Sequence, residues 1–245
     1  MNRSLLFKLG AIGLLTLLLI IPLIQISNVV NERQHRRDAV VQDIARSSSY
    51  SQTLTGPLLV VPYRKIVKNV IEDATTHTKK FEEREITGEL YFLPDTFNLE
   101  GSVKTEERSR GIYVARLYHA NNKIDGAFKI PAKLGIEDDY ASYAFGTAYI
   151  TLGISDIRGI EDTLTLSMDE KNVPFEPGSF TKALGTGVHA TLLDFDVQNA
   201  KTYSYHMQLK LQGTSDLQIT PVGRTTKVVL NSDWSNPSFA GEYLP

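Results

Sequence analysis

Twenty-three consecutive residues, 9–31, carry no Asp, Glu, Lys or Arg. At their centre stands Leu14-Leu15-Thr16-Leu17-Leu18-Leu19-Ile20-Ile21-Pro22-Leu23-Ile24. About 20 apolar residues in an α-helix match the hydrocarbon thickness of a bilayer. A helix that is apolar all round, at the very N-terminus, fits a membrane anchor better than a buried soluble helix. A cleaved secretory signal is the rival reading. The length of the run and the lack of an A-x-A cleavage site argue against it. Arg3 and Lys8 flank one side, and Arg33, Arg36 and Arg37 the other, so the positive-inside count does not decide orientation. A large polar domain after a first helix is usually translocated, which predicts that the main domain lies outside the cytoplasm.

Past the apolar run, Ile26, Val29, Val30, Val40, Val41 and Ile44 keep a 3.6-residue period with charges on the other face. This predicts a short amphipathic juxtamembrane helix reaching about Arg46, packed on the following domain or, as the alternative, on a partner helix. Ser47-Ser48-Ser49 then breaks it. Charge divides at the same place. The 245-residue chain has a net charge of −2, but residues 1–37 hold five bases and one acid, leaving 21 bases and 27 acids for the rest. An acidic main domain argues against nucleic acid as a partner. The chain has no cysteine, which excludes disulfides, thiol catalysis and thiolate metal sites.

After residue 51 the period changes to two. Strands are predicted over residues 58–70, 85–93, 97–105, 111–118, 126–131, 144–154, 163–168, 202–212, 216–220 and 227–231. Tyr203, Tyr205, Met207, Leu209 and Leu211 share one face, and Ile86, Gly88, Leu90 and Phe92 share another. Turn chemistry separates the strands at Pro94-Asp95, Asn121-Asn122, Asp125-Gly126, Pro177-Gly178 and Gln212-Gly213. Residues 137–143 read as a helical turn or two. The predicted fold class is all-β: a sandwich-like antiparallel extracytoplasmic domain over residues 51–245. It follows a transmembrane anchor over 1–31 and a juxtamembrane helix over 32–50.

Motifs with chemical meaning are weak. Gly185-Thr186-Gly187-Val188-His189-Ala190 fits the dinucleotide pattern G-x-G-x-x-A. That pattern works only where a strand runs into a helix N-terminus, and Thr191-Leu192-Leu193-Asp194-Phe195 reads as strand. A glycine-rich turn is the better reading. Ser155-Asp156 lacks a surrounding G-x-S-x-G, and sequence cannot show whether His119, His189 or His206 approaches Ser155. Asp156 and Arg158 read as a structural ion pair in a tight turn. The five histidines (35, 77, 119, 189 and 206) have no metal-ligand spacing. The acid clusters Glu82-Glu83, Glu106-Glu107 and Glu137-Asp138-Asp139 read as solvated loops, and Asp194 and Asp196 as an exposed face. No catalytic, cofactor-binding or metal-ligating residue is therefore assigned, and no cofactor is expected.

Several stretches in order carry a resemblance. They are Thr55-Gly56-Pro57-Leu58-Leu59-Val60-Val61-Pro62, Arg110-Gly111-Ile112-Tyr113, Ser155-Asp156-Ile157-Arg158-Gly159-Ile160 and Gly187-Val188-His189-Ala190. The last is Ser232-Asp233-Trp234-Ser235-Asn236-Pro237-Ser238-Phe239-Ala240-Gly241-Glu242-Tyr243-Leu244-Pro245. Together they resemble the CreD family of bacterial inner-membrane proteins, associated with cell-envelope integrity and colicin tolerance. The resemblance implies an inner-membrane location, a periplasmic main domain and expression under an envelope-stress system. It implies further membrane helices after the Leu244-Pro245 stretch, so the chain is expected to be the N-terminal part of a longer protein. The segment from Trp234 to Phe239 is expected to pack back on the domain base. The resemblance supplies no catalytic residues. The expected function is a non-enzymatic role in envelope integrity and stress response, with the membrane and an envelope protein or glycan as partners. The alternatives are a ligand-sensing transmembrane module and an envelope hydrolase using Ser155 or a carboxylate pair.

Overall fold

A computed structural model describes residues 3–72, 79–238 and 241. Helix α1 runs without interruption over Arg3–Ser47, so the two helical segments expected on either side of residue 31 are one helix. It is long and apolar enough to cross a membrane, and none of its apolar window is buried. Glu32 and Arg36, one turn apart, form an ion pair at 2.7 Å. Near its end Val40 and Val41 are half-buried and Ile44 and Ala45 are buried. By internal packing, α1 groups with residues 108–115, the tip of a hairpin, where Arg110 donates to Asp43 at 3.1 Å. The β-body comprises residues 48–107 and those from 116 onward.

The strands in chain order begin with β1 (Gln52–Glu72), β2 (Lys79–Phe92), β3 (Thr96–Arg110) and β4 (Tyr113–Ile130). Next come β5 (Tyr143–Phe145), β6 (Ala148–Ile154), β7 (Thr165–Met168), β8 (Lys171–Pro174) and β9 (Glu176–Pro177). The last are β10 (Gly187–Leu192), β11 (Lys201–Thr214), β12 (Leu217–Thr220) and β13 (Thr225–Ser232). Among the described residues they form two sheets. The seven-stranded one has the order β12-β1-β6-β10-β9, with β2 and β5 also paired to β1. The six-stranded one has the order β13-β3-β4-β11-β7-β8. The all-β, sandwich-like body with one N-terminal apolar helix is as the sequence predicts. It is not wholly antiparallel: β12 pairs with β1, and β13 with β3, in parallel.

Alternation builds the core. Leu59, Val61, Ile150 and Leu152 from the first sheet pack in one cluster with Phe128, Ile124, Met207 and Leu209 from the second. Full burial of each such side chain contributes roughly 1.5–3 kcal/mol. The two strands predicted over 111–118 and 126–131 are the single strand β4. Its pairing with β11 runs unbroken from Leu117↔Thr214 to Ile130↔Lys201, through the expected turns at Asn121-Asn122 and Asp125-Gly126. A long partner strand outweighs local turn propensity. Gln212-Gly213 likewise stays inside β11, whereas Pro94-Asp95 and Pro177-Gly178 do mark strand ends. Residues 140–142 form a short 3-10 turn within the stretch expected to be helical.

Candidate functional site

Two places in the β-body hold what the sequence singled out or left unused. The first lies where the chain enters β1. Ser49 and Gln52 are fully buried. The Gln52 side-chain amide donates to the carbonyls of Asp156 at 2.9 Å and Gln212 at 3.0 Å. Its Oε1 accepts from the Asp156 backbone N–H at 3.2 Å and the Ser155 hydroxyl at 3.3 Å. Ser49 donates to the Gln212 carbonyl at 2.7 Å, and Thr214 donates to the Ser49 carbonyl at 2.7 Å. The Ser155 hydroxyl donates to the Ser51 carbonyl at 2.9 Å and accepts from the Thr53 N–H at 2.9 Å.

The Asp156 carboxylate caps the 3-10 turn Ile157–Gly159 and accepts from Arg158 Nε at 2.9 Å and a terminal guanidinium nitrogen at 2.6 Å. It also accepts from the Tyr50 N–H at 3.1 Å. The Arg158 hydrogen bonds, set against a smaller burial penalty, hold its carboxyl below the usual range. Gly159 closes the arrangement. A Cβ there would stand 2.3 Å from the Gln212 carbonyl oxygen and 2.4 Å from the Gln52 amide nitrogen. Ser155-Asp156-Ile157-Arg158-Gly159 is thus a latch tying the start of the β-body to β6 and β11.

The histidines are occupied elsewhere. His119 bonds Glu161 at 2.6 Å and Glu106 at 3.1 Å. Burial of the ring opposes its charge, but the two carboxylates outweigh it and raise its pKa. His189 is buried, with Nδ1 2.7 Å from the Gly178 carbonyl and Phe180 stacked on its ring at 3.6 Å. His206 is exposed on β11. Among the described residues, no histidine is a hydrogen-bond partner of Ser155. His77 lies outside the described residues, and no group of three His, Asp or Glu suited to a metal occurs among the described ones. Gly187 opens a strand rather than a helix. A Cβ there would meet the Leu152 carbonyl oxygen at 2.0 Å, so the glycine serves strand crossing, not a phosphate.

Asp194 and Asp196 are not on one strand face. β10 stops at Leu192, Asp194 pairs with Lys171 at 2.6 Å, and Asp196 accepts from the N–H groups of Gln198 and Asn199 in a turn. Trp234 is half-buried beneath Arg116, whose guanidinium sits 4.0 Å from the ring centre. The expected packed return ends there: residues 235–238 are exposed, and Phe239 lies outside the described residues.

The second place is one the sequence reading missed. A cavity of about 570 Å3 opens between the edges of the two sheets. Met168, Val173, Leu192, Phe195 and Tyr203 supply its apolar lining. Its rim carries the ion pairs Lys171–Asp194 at 2.6 Å and Lys201–Asp169 at 2.9 Å. Leu193 stands on the rim with 85% of its surface exposed. The size and the mostly apolar lining with a few polar groups suit a bound ligand. The one trace in the sequence is Leu192-Leu193, two adjacent leucines where alternation permits one inward residue.

A profile described as "Inner membrane protein CreD" matches residues 4–245. The chain belongs to the CreD family. The Inner membrane protein CreD of Escherichia coli (strain K12) is 32% identical over 247 residues, covering 100% of this chain and 52% of that relative. The chain spans about half the length of that curated relative. No solved structure matches. CreD membership agrees with the exposed apolar helix α1 and makes this a membrane protein. Four of the five CreD-like stretches named above fall at β1, the 108–115 hairpin, the latch and β10; the fifth starts at the end of β13 and runs partly outside the described residues.

Proposed function

We propose that this chain is a non-enzymatic envelope protein. Its β-body stands in the periplasm on the α1 anchor, binds another envelope component, protein or glycan, and contributes to envelope integrity and the response to envelope stress. The observation that carries this reading is the use of Ser155 and Asp156. Both are held by main-chain groups, Gln52 and Arg158, and among the described residues no histidine bonds the serine. Acyl-transfer chemistry needs the opposite: a serine bonded to a base and open to substrate. The cavity supplies a place to bind, and the carboxylates at its rim are held in ion pairs with Lys171 and Lys201.

The test is a complementation series under envelope stress, in cells lacking their own copy and producing the full-length protein. Ser155→Ala and His119→Gln should retain protection, and the purified protein should release nothing from peptidoglycan. A folded Ser155→Ala protein that has lost protection would refute the reading. Protease added to spheroplasts should cut the β-body, and protease added to inside-out vesicles should not.

A ligand-sensing module is the second reading. It is favoured by the unbroken run of α1 from Arg3 to Ser47, a stiff connector across the bilayer. Muropeptides that raise the Tm of the solubilised protein would favour sensing.

A further inference from the structure

The cavity has the form of a missing strand. The chain from Lys171 to Pro177 starts as β8 in the six-stranded sheet and ends as β9 in the seven-stranded one. It changes sheet at Pro174-Phe175. β9 therefore covers only Val188 and His189 of β10. Beyond His189, among the described residues, no strand stands beside the outer edge of β10.

Hydrogen-bond parity fixes which backbone groups face the gap. Ile154 N–H donates to the Thr186 carbonyl at 3.2 Å, so in the β6–β10 ladder residues 188, 190 and 192 bond inward, and Thr191 faces out. Phe175 N–H donates to the Leu164 carbonyl at 3.0 Å, so in the β7–β8 ladder Val173 and Lys171 bond inward, and Asn172 faces out. Pro174 also faces out but has no N–H to give. Each wall of the cavity thus presents one outward N–H and C=O pair, at Thr191 and at Asn172.

The cavity, of about 570 Å3, has room for a short extended segment. The paired Lys171–Asp194 and Lys201–Asp169 leave the rim with no net charge, so it offers no attraction to a phosphate-rich headgroup.

We propose that this cavity takes a short extended peptide segment from a partner protein, added as a strand beside β10 or β8 with apolar side chains at alternate positions filling the lined space. The inference rests on the binding reading of the β-body and names its class of partner. An acyl chain would fill the lining but leave Asn172 and Thr191 as they are; a glycan would pair with them but not fill the lining.

The test uses the full-length protein in detergent and an array of end-blocked hexapeptides. One set alternates valine or leucine with threonine. A second has the same composition in block order, and a third is N-methylated at alternate amides. Alternating peptides should bind at least tenfold tighter than the other two sets. Amide exchange at Asn172 or Thr191 should slow by at least tenfold in their presence, a readout that needs no variant. Leu192→Trp, which fills the cavity, should abolish binding with the circular dichroism spectrum retained. Equal binding of alternating and block-order peptides, unchanged exchange at both residues, or displacement only by dodecanoate or muropeptide would overturn the proposal. The wider binding reading would survive that result if in-cell crosslinking still joined the β-body to an envelope component.

Discussion

At the entry to β1, the buried polar residues Ser49, Gln52 and Thr214 find their hydrogen-bond partners within the protein, and a glycine is needed because a side chain would not fit. Beside β10, apolar residues line a space that the protein leaves open, with mutually paired charges at its mouth. The first region carries the residue types from which hydrolases are made, and it is spent on holding the fold. The second has a mostly apolar lining with its aspartates and lysines paired at the rim, and its space is left open. Polar residues in a well-packed β-protein cost stability when buried unless they are partnered, so conspicuous polar motifs are often joints. An unfilled apolar cavity forgoes packing that the protein would otherwise gain.

Substitutions should separate the two regions sharply. Gln52→Ala removes a side chain making four hydrogen bonds in a fully buried position and strands the groups it served. It should cost about 3 kcal/mol, which for a domain of this size lowers Tm by roughly 6–12 °C. Gly159→Ala should do comparable harm by crowding the Gln212 carbonyl, read as the same fall in Tm. If either protein melted like the parent, the latch would not be a joint.

Asp156→Asn should cost less, about 1–2 kcal/mol, by weakening the cap and the Arg158 pair. The carboxyl's lowered pKa adds a pH signature. Its stabilisation is present above the ordinary carboxyl range and is lost as pH falls through the lower folded value. Acid unfolding below about pH 4 should therefore be less steep in the variant.

His119 gives the opposite signature. Its pKa is raised, so its contribution is complete below about pH 6.5 and is lost as pH rises through the higher folded value. Tm should decline modestly on the alkaline side of pH 6.5, and His119→Gln should remove that slope. The smallest effects belong to the cavity rim. Leu193→Ser and Lys171→Ala should leave Tm unchanged, since one side chain is exposed and the other belongs to an exposed pair. Rim changes that destabilised as much as Gln52→Ala would erase the contrast between the two regions.

Much of the fold was legible. The alternation of Tyr203, Tyr205, Met207, Leu209 and Leu211 is repeated in their burial on β11. The pairing of Asp156 with Arg158 in a tight turn was readable because both residues lie in the same five-residue stretch. The continuity of β4 was not, because Asn121-Asn122 and Asp125-Gly126 look like turns until β11 lies beside them. The cavity was barely legible, traced only by the adjacent Leu192-Leu193, because it arises where Lys171–Pro177 changes sheets.

By itself the sequence determined the apolar helix at the N-terminus, the all-β body and the family, because apolar runs, period-two alternation and ordered motifs are properties of neighbouring residues. Only the tertiary structure decided that Ser155 and Asp156 hold the fold, that two strand pairs run parallel, and that the sandwich is open beside β10. Those depend on partners far apart in the chain, such as Gln52 and Asp156, 104 residues away. A side chain's role follows from what stands within about 3 Å of it, and folding alone sets that.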